Sequence, residues 1–140
     1  MTPDQIQQFN MLQDVITEFS DNPSEKRSVK NSPNAVRCNY NPPTSKPLSR
    51  GCAIGMYLPV ELAAKLDVLS STSIEDIIND RSDLLPKWLT DMNVNFLQDV
   101  QTLHDDSSYW KHDGLSELGV NHIKVLCVEY RLPFKKLKLK

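Results

Sequence analysis

Five of the nine prolines in this 140-residue chain, Pro23, Pro33, Pro42, Pro43 and Pro47, fall between residues 21 and 50. Each proline fixes φ and removes a backbone donor, so neither a long helix nor a central strand can run through that stretch. Residues 41–47 therefore read as loop, and regular structure is pushed to either side. A chain of this length fits one domain. The expected fold class is α+β, a mostly helical single domain with one small β-hairpin near residues 35–58. The expected organisation is an N-terminal amphipathic helix at 1–20, a polar linker at 21–34, a compact domain at 35–130 and a basic tail at 131–140.

The helices are set by spacing and caps. Thr2, Pro3 and Gln5 form a helix start, with Thr2 and Gln5 at capping-box positions and Pro3 at the first helical position. Ile6, Phe9, Leu12, Ile16 and Phe19 follow at helical spacing, and Pro23 ends the run. The weak alternation of 35–40 predicts a strand. The apolar run Cys52–Leu58 is expected to pair with it across the proline loop, a helical start at Cys52 being the competing reading. Val60, Leu62, Ala63, Leu66 and Leu69 predict another helix after Pro59. Ser73 caps a short helix at 74–78, and a further turn or two covers 84–89. Asn93 caps a helix with Phe96, Leu97, Val100, Leu103 and His104 on one side. Ser116 caps the last, with Leu118, Ile123, Leu126, Cys127 and Tyr130 inward.

Composition excludes several function classes. No GxGxxG or GxxxxGK[ST] string occurs, so the familiar nucleotide loops are absent. No apolar run approaches the roughly 18–20 residues of a membrane span. The first residues carry Asp4, Asp14 and Glu18 without a basic side chain, unlike a signal peptide. The net charge of −2 disfavours a wholly basic nucleic-acid binder. That total conceals blocks of −4 (1–23), +5 (24–50), −7 (51–106) and +4 (107–140). A local basic patch from segments 24–50 and 131–140 therefore stays open as a nucleic-acid reading.

Three cysteines, Cys38, Cys52 and Cys127, with no CxxC pair, predict free thiols and a reducing cytoplasm. Their spacing matches no zinc module, so no metal and no cofactor are expected. The enzymatic candidate is a Cys52 nucleophile with His104 as base and Asp105 orienting the imidazole, as in a hydrolase or transferase. The competing reading makes Cys52 a buried small hydrophobe and His104 a helix end favoured by the dipole. Trp88, Tyr109 and Trp110 are candidate interface anchors; the alternative is that they close a small core. The tail alternates leucines with Lys136, Lys138 and Lys140, and Lys135 adds to it. In extended form it puts lysines on one face and leucines on the other.

The strings Arg37-Cys38-x-Tyr40, Cys52-Ala53-Ile54-Gly55-x-x-Leu58-Pro59 and Leu97-x-x-x-Gln101-x-x-His104-Asp105 resemble a pattern of small accessory proteins of tailed bacteriophages and prophages. The resemblance covers residues 36–130. It implies a phage-encoded protein made in the cytoplasm of a bacterial host. The expected function is binding of a host protein, such as a component of a defence system, without membrane association.

Overall fold

The computed structural model describes residues 1–27, 29–32, 35–38, 52–67 and 74–139. It shows a mostly helical α+β single domain, as the patterns predict. Among the described residues no helix is long and apolar enough to cross a membrane.

Helix α1 (Pro3–Ser20) begins with the capping box: the Thr2 hydroxyl accepts from the Gln5 amide at 3.2 Å, and the Gln5 side chain accepts from the Thr2 amide at 2.8 Å. It buries Met11, Leu12, Val15, Ile16 and Phe19. The inward stripe is thus rotated from the expected one, and Ile6 is exposed. The buried residues of α1 belong to the same hydrophobic cluster as those of the other described helices. Asn22, in the left-handed region at φ 57°, turns the chain into the one-turn helix α2 (Pro23–Lys26).

The hairpin is shorter and earlier than expected. Strand β1 (Val29–Ser32) pairs antiparallel with β2 (Ala35–Cys38), Val29 opposite Cys38 and Ser32 opposite Ala35. The segment expected as a linker therefore holds a helical turn and a strand. Cys52–Leu58 is not β2's partner. Cys52, Ala53, Ile54 and Gly55 are all buried, and Gly55–Tyr57 makes a 3-10 turn. A run apolar at every position gains by burial on all sides, which a two-stranded ribbon cannot provide. The loop expected at 41–47, Leu69 and the Ser73 cap lie outside the described residues.

Helices α3 (Val60–Asp67), α4 (Ile74–Arg81) and the single turn α5 (Lys87–Thr90) follow, burying Ala63, Leu66, Ile74, Ile77 and Leu89. Helix α6 (Val94–Asp105) starts at Asn93, whose side chain accepts from the amides of Asn95 at 2.8 Å and Phe96 at 3.3 Å. Its five expected inner residues are all buried. A second, two-residue hairpin, β3 (Trp110–Lys111) with β4 (Gly114–Leu115), leads to helix α7 (Glu117–Glu129). Ser116 caps α7 by accepting from the Gly119 amide at 3.1 Å. Gly119 is required there, because a Cβ would sit 2.1 Å from the Tyr109 carbonyl oxygen. Ile123, Leu126 and Cys127 face inward as expected, but Leu118 faces solvent. Arg131, at φ 57°, takes the left-handed position after α7, and the Leu132 amide donates back to the Cys127 carbonyl at 2.8 Å. That is a Schellman-type stop built on an arginine where glycine is usual.

The tail is docked. Leu132 and Leu137 are buried and Leu139 half-buried, while Lys135, Lys136 and Lys138 are exposed. The predicted alternation holds, and the leucines pack on the domain core. The Gln13 side chain pairs with the Lys138 backbone in both directions, at 2.8 and 2.9 Å.

Candidate functional site

Helix α6 brings His104 and Asp105 to one end, and the imidazole Nδ1 lies 2.7 Å from the Asp105 carboxylate. The expected orienting acid is therefore in place. The surroundings differ from those of a working base. His104 is completely buried, with Phe19 edge-on at 4.7 Å between ring centroids. Cys52 is also completely buried, and it is disulfide-bonded. A sulfur in a disulfide offers no thiolate to attack a substrate, so the expected nucleophile is missing, and the expectation of three free thiols is corrected with it. Cys127 is free, and burial pushes its thiol up to about 11, the opposite of an activated cysteine.

What surrounds His104 is a helix terminus tied into the core. Arg27 donates from Nε to the His104 carbonyl at 2.6 Å and from Nη2 to the Asp105 carbonyl at 2.7 Å. The last carbonyls of α6 lack intrahelical donors, and a cation there also meets the negative end of the helix dipole. Burial lowers the Arg27 pKa, with Asp105 and Asp106 opposing that shift. Trp110 completes the frame: its indole N–H donates to the Leu103 carbonyl at 2.8 Å and its ring lies 6.4 Å from that of Phe19. Arg27 escaped the sequence reading because it sits in a polar stretch far from α6. Only folding reveals which helix end a lone arginine reaches.

The aromatics divide. Trp110 is buried and serves the core, so it is not available as an interface anchor. Tyr109 is half-buried and stacks on His122, with centroids 4.4 Å apart and planes within 9°. The His122 Nε2 is buried without a hydrogen-bond partner among the described residues, and burial lowers its pKa against the pull of Asp99, Asp106 and Glu129. Trp88 is the exposed aromatic among the described residues, at 38%. It stands edge-to-face with Tyr57 at 5.7 Å. The Tyr57 hydroxyl donates to Asp14 at 2.7 Å. A half-open hollow of about 310 Å³ beside it is lined by Asp14, Thr17, Glu18, Met56 and Tyr57.

Among the described residues no group of three His, Cys, Asp or Glu side chains is placed to hold a metal ion. Of the two basic segments, 131–140 presents Lys135, Lys136 and Lys138 to solvent, and Lys140 lies outside the described residues. In 24–50, Arg27 is committed to α6, and residues 39–50 lie outside the described residues. No family model, no curated protein and no solved structure matches the chain.

Proposed function

We propose that this chain is a binding module that acts by occupying another protein. The observation that supports it best is the aromatic pair of exposed Trp88 and Tyr57, of which Tyr57 lines the hollow together with Asp14 and Glu18. A preordered aromatic next to acids suits a partner that inserts a lysine or arginine, which the ring faces attract and the carboxylates neutralise. The resemblance to phage accessory proteins extends this reading to a bacterial host protein as partner. It also places the meeting in the host cytoplasm. The Cys52 disulfide weighs against that compartment, since disulfides persist in oxidising surroundings.

The test compares the full chain with Trp88→Ala as bait in host extract. The expected result is a stoichiometric partner retained by the parent chain and lost by the variant, with both equally folded. Capture of the same protein by both, or of none by either, overturns the reading. Alkylation and intact-mass measurement of freshly isolated, unreduced protein decides the compartment argument. One reactive cysteine after denaturation supports an oxidised chain, and three support the cytoplasmic thiol protein.

A further inference from the structure

A half-open pocket of about 290 Å³ lies between the end of α1 and the C-terminal tail. Ile16, Thr17, Ser20 and Asp21 line it from the helix side, and Lys138 and Leu139 from the tail side. Gln13 holds the two sides together. It pairs with the Lys138 backbone in both directions and donates to the Thr17 hydroxyl at 3.0 Å. Ser20 is the feature that asks for a ligand. It is 5% exposed, and its hydroxyl has no hydrogen-bond partner among the described residues. A helical serine can bond the carbonyl one turn back, and this one does not. A buried hydroxyl left unpaired costs stability, which a group placed opposite it recovers.

We propose that this pocket binds an uncharged bicyclic aromatic alcohol, with its rings between Ile16 and Leu139 and its hydroxyl on Ser20 Oγ. Size favours two rings: the volume is about twice the roughly 150 Å³ of a cavity that holds benzene. Charge favours a neutral molecule. The exposed lining residues include Asp21 and Lys138, one of each sign, so neither an anion nor a cation is preferred, and burying either beside Ile16 and Leu139 is costly. Asp21 is also shared with Lys26, at 3.7 Å. A hydroxyl suits Ser20 because it both donates and accepts, so it pairs whichever way the serine proton points. A water beside Ser20 finds one buried polar partner in this lining, fewer than the two to four that hold a water in place. An apolar ring fills the same space favourably. The site shares Thr17 with the hollow beside Tyr57 but neither of its acids, so it does not rest on the Trp88 reading. A ligand that touches both helix and tail also keeps the tail docked, because it binds the docked form in preference to the released one.

Titration of the full chain with 2-naphthol, followed by methyl and amide NMR, tests this. The expected result is saturable shifts of the Ile16 and Leu139 methyls and slower solvent exchange of the Lys138 amide. Ser20→Ala should weaken 2-naphthol by about three- to tenfold, the worth of one neutral hydrogen bond, and leave naphthalene binding unchanged. The variant keeps its fold, since alanine is the better helix former and carries no group to leave unpaired, and circular dichroism checks this. The charged analogue 2-naphthoate should bind the parent chain more weakly than 2-naphthol. Absence of saturable shifts at Ile16 and Leu139 up to the solubility limit overturns the site, as does Lys138 exchange indifferent to saturating ligand. Naphthalene bound as tightly as 2-naphthol, or 2-naphthol indifferent to Ser20→Ala, overturns the pairing with Ser20 and the ligand class with it. Tighter binding of 2-naphthoate overturns the choice of an uncharged ligand.

Discussion

Helices α6 and α7 are nearly equal in length but use their surfaces differently. Helix α6 buries Phe96, Leu97, Val100 and Leu103 on one side, and none of its apolar residues is exposed. Its ends are held by Asn93 at the start and by Arg27 and Trp110 at the finish. Helix α7 has apolar residues inside and outside, and its far end stops on a left-handed arginine. A helix with one greasy face has spent it on the core. A helix with two leaves one in contact with solvent. Of the candidate catalytic residues, His104 and Asp105 stand at the end of α6, where Arg27 and Trp110 tie the chain into the core.

The comparison is tested most severely at the helix junctions. Gly119→Ala forces a Cβ against the Tyr109 carbonyl, and the backbone must move. A loss of about 3 kcal/mol or more in urea unfolding is expected. Arg27→Met keeps the volume but strands the His104 and Asp105 carbonyls, with an expected loss of about 1–3 kcal/mol. If that variant is as stable as the parent, the guanidinium does not hold α6. Next in size is a pH effect from His122. Its folded pKa lies below 6.5, so the unfolded chain binds the proton more readily. Its contribution is complete above about pH 6.5 and is lost as the pH falls from there through the lowered folded value. His122→Gln should flatten stability over that window. The smallest effect is a gain: Arg131→Gly relieves the left-handed position and should raise stability by about 0.5–1 kcal/mol. Val128→Asp should leave stability within about 0.5 kcal/mol, which separates the exposed face of α7 from its buried one.

Much of the fold was legible because local signals agreed with it. The Thr2, Asn93 and Ser116 caps stand where their spacing to the following residues places them. The α6 stripe was read residue by residue. Misreadings came where an apolar residue had two possible faces. Leu118 reads as core by spacing, yet the buried face of α7 runs through Gly119, Ile123, Leu126 and Cys127 and leaves Leu118 outside. On α1 the buried face runs through Met11, Leu12, Val15, Ile16 and Phe19 and leaves Ile6 exposed. The candidate site was half legible. The adjacency of His104 and Asp105 guaranteed their proximity, whereas their burial and the oxidation of Cys52 depend on contacts far apart in the chain. Arg27 gave no signal, since nothing in residues 21–34 says which helix end they will meet.

The two hydrogen bonds between Gln13 and the Lys138 backbone join positions 125 residues apart. In kinetic terms this is an expensive loop to close, because the chain between must be brought together before the contact gives anything back. The clasp therefore belongs to the last stage of folding, after α1 has found α6. It is exposed, and it is the first place to let go. The Lys138 amide should exchange with solvent far sooner than the amides of α6.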